Sequence, residues 1–258
     1  MDRETMVERA ADAGSEVAAE LFRTDLTVDT KASEVDYVTR ADTRTQQRIV
    51  QTISEHFPDD TIVAEEGNER KQIPTSGVVW VVDPIDGTTN YVNGIQFWVT
   101  SVTVVEDDEP VAAANVLPIL GDRYVAGTEG MRHNGGPGAV SGTDELSRSL
   151  VAPILRYGHQ YRAQYGELLS ALSPTIADFR RIGSAQASLS LVAAGAIEAT
   201  VGTADPYPWD TVAGAHLVEQ AGGTVTDIYG EAWSPRKRGI VASNGRVHDE
   251  LLATIPDG

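Results

Sequence analysis

Trp80-Val81-Val82-Asp83-Pro84-Ile85-Asp86-Gly87-Thr88-Thr89-Asn90 is the stretch from which the rest of this chain can be read. Gly77–Val82 is a short, β-branched apolar run that reads as a strand and delivers Asp83 at its end. Pro84 fixes the direction of the chain. A second carboxylate follows at Asp86, then a glycine and two hydroxyls. Two carboxylates this close repel each other, and a divalent cation between them relieves the repulsion. Gly87-Thr88-Thr89 reads as the opening of a helix, whose N–H groups and dipole favour a phosphate. Cation ligands and an anion cradle on one loop are what a metal-assisted phosphate hydrolase needs. Asp-Pro and Asp-Gly are also common turn dipeptides, so the reading depends on what the rest of the chain supplies.

Two further acidic sites supply it. In Ile62-Val63-Ala64-Glu65-Glu66-Gly67 a second short apolar strand ends in carboxylates, although that pair alone would read as a solvated strand end. In Trp209-Asp210-Thr211-Val212-Ala213-Gly214-Ala215, Asp210 is expected to begin a helix. Aspartate is among the best N-caps, and a carboxylate has lone pairs for both a cap and a cation.

Composition narrows the chemistry. The chain has 258 residues, 41% of them hydrophobic, which suits one compact unit or two halves sharing a core. No apolar run approaches the roughly 20 residues of a membrane span. The charged start, Met1-Asp2-Arg3-Glu4-Thr5, lacks a signal peptide's apolar stretch, so a cytoplasmic location is expected. With no cysteine, disulfide scaffolds, thiolate zinc sites and cysteine nucleophiles are excluded. The five histidines show no HxxxH or HExxH spacing, which leaves oxygen ligands and points to Mg²⁺ or Mn²⁺. The formal net charge is −18, and Lys31, Lys71 and Lys237 are the only lysines. Such a surface repels itself until salt screens it, which predicts adaptation to a salt-rich cytoplasm. The same charge argues against sequence-independent nucleic-acid binding. No GxGxxG lies between a strand and a helix and there is no P-loop, so dehydrogenase and kinase readings fail.

Periodicity places these segments on elements. Arg3 to Phe22, with Met6, Ala10, Ala13, Val17 and Leu21, has helical spacing, as does Asp42 to Phe57, stopped by Pro58. Thr61–Ala64, Gly77–Val82, Gln96–Val105, Val111–Leu117 and Arg123–Thr128 read as strands, and Arg132–Gly138 as a loop or hairpin tip. The second half alternates: strands at Leu150–Leu155, Ala196–Val201 and Gly239–Ser243, helices at Gln160–Leu172, Ala185–Ala194, Asp210–Ala221 and about Val247–Ala253. That order predicts layered sheets and helices, with a parallel or mixed sheet in the second half. A soft boundary falls near Pro137–Ser147, dividing an N-terminal α+β half (1–140) from a C-terminal α/β half (141–258) within one compact unit.

Taken together, Ala64-Glu65-Glu66-Gly67, Asp83-Pro84-Ile85-Asp86-Gly87-Thr88-Thr89-Asn90 and Trp209-Asp210-x-x-Ala213-Gly214-Ala215 closely resemble the three signature regions of the inositol monophosphatase family, in its order and at similar separations. Asp36-Tyr37-Val38-Thr39-x-x-Asp42 and Arg181-Ile182-Gly183-Ser184-Ala185 extend the likeness, which runs from about Lys31 to Asn244. The resemblance implies the layered α/β/α/β/α sandwich that the family shares with fructose-1,6-bisphosphatases. It implies two or three Mg²⁺ ions, with Mn²⁺ as a substitute, held by Glu65, Asp83, the Ile85 carbonyl, Asp86 and Asp210. Thr88 with Asp42 would orient and deprotonate the attacking water, with Glu65 at the catalytic metal. Gly87 and Thr88 N–H groups would hold the phosphate, and Asp86, Gly183, Ser184, Ala185 and Asp210 would meet the substrate. The implied partner is a small phosphorylated substrate, and many relatives are homodimers.

The chain also departs from the pattern. Inositol-cleaving relatives place a glutamate seven residues before the last aspartate, and here that position is Thr203, with Asp205 as a substitute from a reshaped loop. Fructose 1,6-bisphosphate, other sugar phosphates, histidinol phosphate and nucleotide 3′-phosphates therefore stand beside inositol monophosphate. A nucleotide would need a stacking platform near Gly183–Ala185, and none is identified there. A protein that binds metal and sugar phosphate without turnover would have lost the water-activating pair, yet Asp42 and Thr88 are both present. Lys31 matches a lysine on a flexible segment near the metals in some relatives. Trp80 and Trp209 read as packing residues beside the ligands.

Overall fold

The computed structural model describes residues 1–24, 28–30, 37–67, 69–156 and 158–256, the side chains of 28–30 and 37–39 apart. Lys31 and Asp36 lie outside the described residues.

Helix α1 (Arg3–Leu21) begins where the Asp2 carboxylate accepts the Thr5 N–H at 2.8 Å. Its buried stripe runs through Met6, Val7, Ala10, Ala11 and Ala18, turned somewhat from the expected Met6–Ala10–Ala13–Val17 line. A small antiparallel pair, β1 (Val28–Thr30) and β2 (Tyr37–Thr39), leads into α2 (Arg40–Ser54). Next come β3 (Thr61–Ala64), β4 (Val78–Asp86), the short helix α3 (Thr88–Val92), and strands β5 (Val99–Glu106), β6 (Glu109–Leu117) and β7 (Asp122–Gly127). The hairpin tip expected near residue 135 is present, with β8 (Gly130–His133) and β9 (Gly136–Pro137) as its arms. The second half contains β10 (Leu150–Pro153), α4 (Arg162–Leu172), β11 (Asp178–Phe179), α5 (Ala185–Ala193) and β12 (Ala199–Gly202). It closes with α6 (Pro208–Gln220), β13 (Thr224–Thr226), β14 (Ile240–Ser243) and α7 (His248–Leu252).

The strands form two larger sheets. One has seven strands in sequence order, β3 to β9, parallel only at β3–β4. The other is mixed, in the order β11-β10-β12-β14-β13. Helices α1 and α2 cover one face of the first sheet, burying Met6, Ile49 and Ile53 against Trp80, Val102 and Val104. Helices α5 and α6 fill the space between the sheets, where Leu189, Val192, Leu217 and Val218 meet Ala126, Ala152 and Ala242. Leu168 of α4 and Leu251 of α7 close the outer face of the second sheet on Val151, Val201 and Val241. The result is five layers, α/β/α/β/α, with apolar cores between them.

Among the element ends that differ from the expected ones, two matter for the site. Strand β4 does not stop at Val82. It runs to Asp86 through an irregularity in its pairing with β5, since Asp83 faces Ser101 but Asp86 faces Val99. One extra residue on β4 is a bulge, which tolerates the missing N–H of Pro84; the Pro84 carbonyl accepts the Thr100 hydroxyl at 2.9 Å. Helix α6 starts two residues before Asp210. Pro208 takes the first helical position, where its set φ helps and no N–H is missed, and Tyr207 is the N-cap.

Candidate active site

Parallel pairing of β3 with β4 puts Ala64 opposite Val82, so Glu65 and Asp83 leave the sheet edge side by side. The Glu65 N–H donates to the Val82 carbonyl at 3.3 Å. The loop after Glu65 is held from two directions. Gln46 of α2 pairs with both backbone groups of Glu66, at 2.7 and 2.9 Å. The Lys71 ammonium donates to the carbonyls of Ala64 and Glu65, at 2.8 and 2.6 Å.

The bulge in β4 then turns the chain, so that Asp86 follows Asp83 into the same space. Gly87 allows the turn, with φ of 94°. A Cβ there would also stand 3.1 Å from Ser184 Cβ and 3.2 Å from two carbonyl oxygens. Helix α3, which follows, is only five residues long. The N-terminus of α5 closes on Asp86: the Ser184 hydroxyl and the Gln186 N–H, the latter at 2.6 Å, both donate to its Oδ2. Helix α6 brings in Asp210. Carboxylate oxygens of Asp83, Asp86 and Asp210 all lie within 4.8 Å of one another.

The electrostatics of this trio are unfavourable to three negative charges. Burial pushes the Asp86 carboxyl up to about 6, although Ser184, the backbone N–H groups of Gln186 and Ala185, and the Arg181 charge pull it down. Burial also drives Asp210 well above the usual carboxylate range, and the charges of Asp86 and Glu65 push it further. Buried carboxylates that repel each other and offer only oxygen donors suit a hard divalent cation such as Mg²⁺.

Beside the trio, Asp42 of α2 is fully buried. The Thr88 hydroxyl lies 3.3 Å from Asp42 Oδ1 and 3.1 Å from the Ile85 carbonyl. Glu65, Asp83, Ile85, Asp86, Gly87, Thr88, Gly183, Ser184, Ala185 and Asp210 all line one open cavity of about 330 Å³, with Asp42 behind Thr88. These residues thus lie together at one place, whereas Thr203 and Asp205 do not line the cavity.

Comparison with known proteins gives the family. The inositol monophosphatase family model matches residues 2–257. The chain belongs to the inositol monophosphatase family. Among relatives of this member, the Nus factor SuhB of Escherichia coli is 31% identical over 97% of the chain and 94% of its own length. The fructose-1,6-bisphosphatase/inositol-1-monophosphatase of Thermotoga maritima is 31% identical over 88% of the chain and 86% of its own. The solved structure of a Thermotoga maritima IMPase superposes with a TM-score of 0.89 at 29% identity, covering 99% of this chain and 97% of that one.

This family member's cavity is also lined by Arg181, which opens the Arg181–Ala185 match, and by residues that no motif announced: Arg156, Gln160, Tyr161 and Tyr207. Arg156 stacks over the Tyr207 ring at 4.2 Å, and Tyr207 stacks on Trp209 at 4.9 Å. Lys71 Nζ sits 5.6 Å from the centre of the Trp209 ring. The sequence signals were a run of two aromatics around Pro208, next to Asp210, and an arginine pair before Gly183 in a chain poor in basic residues. Trp80 is buried, bonded through Nε1 to Asp60 at 3.0 Å, and packs as expected. Thr203 is buried, and its hydroxyl has no hydrogen-bond partner among the described residues. Asp205 takes part through its carbonyl, which accepts from Arg156 at 2.6 Å, and it is not among the residues lining the cavity.

Proposed function

We propose that this protein hydrolyses a small phosphorylated polyol or sugar of the inositol monophosphate type, with its divalent cations held by Glu65, Asp83, the Ile85 carbonyl, Asp86 and Asp210. The observation that carries the reading is the convergence of the Asp83–Asp86–Asp210 trio beside the Thr88–Asp42 pair. Two or three Mg²⁺ ions, replaceable by Mn²⁺, would lower the pKa of the attacking water and neutralise the leaving alkoxide. Thr88 Oγ1 orients that water and accepts its proton as the hydroxyl proton passes to Asp42 Oδ1. The Gly87 and Thr88 N–H groups hold the phosphate, and Gly183, Ser184 and Ala185 meet the alcohol. Asp86 and Asp210 contact the substrate as well as the cations.

A second reading of the same site, fructose-1,6-bisphosphatase activity, draws on a specific observation. Two guanidiniums, Arg156 and Arg181, line the cavity, and Thr203 stands at the position where inositol-cleaving relatives place a glutamate. Cations at the alcohol side suit a substrate with a second phosphate, and the Thermotoga maritima relative carries both activities in its name.

The surroundings of the reaction follow the same reasoning. Residues 1–140 and 141–258 work as one unit, because α5 and α6 pack between the two sheets and bring their site residues to the β4 turn. No described helix is long and apolar enough to cross a membrane. We assign the protein to a salt-rich cytoplasm, as a homodimer without nucleic-acid partners, on its net charge of −18 and on the habit of its family.

The test is phosphate release with Mg²⁺ from inositol 1-phosphate, fructose 1,6-bisphosphate, histidinol phosphate and 3′-phosphoadenosine 5′-phosphate. The proposal expects turnover of the first or second, lost on chelation. Turnover confined to the other two, or indifferent to chelator, would overturn it.

A further inference from the structure

Gln186 has no exposed surface. Its main-chain N–H donates to Asp86 Oδ2 at 2.6 Å, and its side chain reaches into the first turns of α6. There Nε2 donates to the Trp209 carbonyl at 2.6 Å, and Oε1 accepts the Gly214 N–H at 2.8 Å. A carbonyl only accepts and a backbone N–H only donates, so these partners fix which way the amide points. Asn115 of β6 anchors the amide from behind, giving Nδ2 to Oε1 at 2.9 Å.

These contacts bracket Asp210. Trp209 precedes it, and Gly214 carries the N–H that an α-helix bonds to the Asp210 carbonyl. The approach is possible only at glycine, since a Cβ on residue 214 would stand 2.4 Å from Leu189 Cβ and 2.9 Å from Gln186 Oε1. One buried residue therefore grips Asp86 through its backbone and the turn bearing Asp210 through its side chain.

We propose that Gln186 is a positioning residue that fixes the separation of the Asp86 and Asp210 carboxylates, and through it the affinity for the divalent cation. The inference rests on the reading that these carboxylates hold that cation. A buried amide that only stabilised the core would set the melting temperature and leave cation binding alone.

The experiment compares wild type with Gln186→Met, which keeps the side chain's length and volume but none of its hydrogen bonds. Asn115→Ala, which removes one anchor of the amide, is the milder variant. Mg²⁺ binding is measured by titration calorimetry, alongside the Mg²⁺ concentration that half-saturates turnover. Removing an outer support of a ligand typically weakens metal binding about tenfold or more. Gln186→Met is expected to show that loss in both readouts. Asn115→Ala should shift both in the same direction by less, and it decides the matter if Gln186→Met does not fold. Wild-type Mg²⁺ affinity in a folded variant with a lowered melting temperature would overturn the proposal. A wild-type protein that binds no Mg²⁺ would instead remove the reading beneath it.

Discussion

The Thr88 hydroxyl lies 3.3 Å from a carboxylate oxygen of Asp42, although 46 residues separate them. The pair joins the turn after β4 to the first turn of α2, and Asp42 is wholly buried there. Burial of an aspartate costs free energy that a partner must offset. In the proposed mechanism this pair relays the proton of the attacking water. Thr88→Ala should lower kcat by about 10²- to 10⁴-fold, the range of a general-base contribution. Thr88→Ser should restore most of the activity. Equal losses in both variants, measured by steady-state kinetics, would contradict the relay.

Arg156 offers a sharper test of which substrate the mouth selects. Its guanidinium is pinned over Tyr207 and by the Asp205 carbonyl. Arg156→Ala should raise KM for fructose 1,6-bisphosphate by about tenfold or more, the scale of a charged hydrogen bond. KM for inositol 1-phosphate should move much less. Equal shifts for both substrates would place the second phosphate elsewhere.

His216 of α6 sets an acid limit on stability. Burial drives its pKa down to about 4, against the pull of Glu4 and a backbone hydrogen bond to Val111. The folded state keeps this ring neutral while the unfolded chain protonates it below about 6.5. Its contribution to stability is therefore complete above pH 6.5 and is lost as pH falls toward 4. Between pH 7 and pH 5 the loss is about 2 kcal/mol. In urea unfolding, His216→Leu should show a shallower fall over that interval than wild type. An unchanged slope would assign the acid sensitivity to other groups.

The surface predicts a response to salt. A net charge of −18 with three lysines is strongly self-repelling at low ionic strength. The melting temperature should rise steeply between dilute buffer and molar KCl as the charges are screened. A flat profile would show that the acidic surface is not a salt adaptation.

The residues proposed to hold the cations were legible as candidates because their chemistry constrains sequence locally. Asp83 and Asp86 sit on one turn, and Glu65 and Asp210 each adjoin an apolar element whose period can be read. Strand β4 was read too short because Pro84 looks like a stop, whereas a bulge lets the pairing resume beyond it. The start of α6 was read at Asp210 because aspartate suits an N-cap, whereas Pro208 at the first helical position outranked it. Tyr207 carried only a faint signal, and Arg156 and Gln186 carried none. Their roles depend on contacts across 28 to 100 residues of sequence or on stacking with no spacing rule, such as the Gln186 bonds to Gly214 and Asp86 and the Arg156 stack on Tyr207.

The most direct test is Mg²⁺-dependent phosphate release by Asp83→Asn, with its circular dichroism and melting temperature measured beside it. Asparagine keeps the shape and the Oδ1 acceptor that receives the Ile85 N–H at 3.1 Å, but removes the charge. The account predicts a folded protein with turnover reduced about 10³-fold or more, as expected when a directly coordinating charge is lost. A folded Asp83→Asn protein that releases phosphate near the wild-type rate would contradict it.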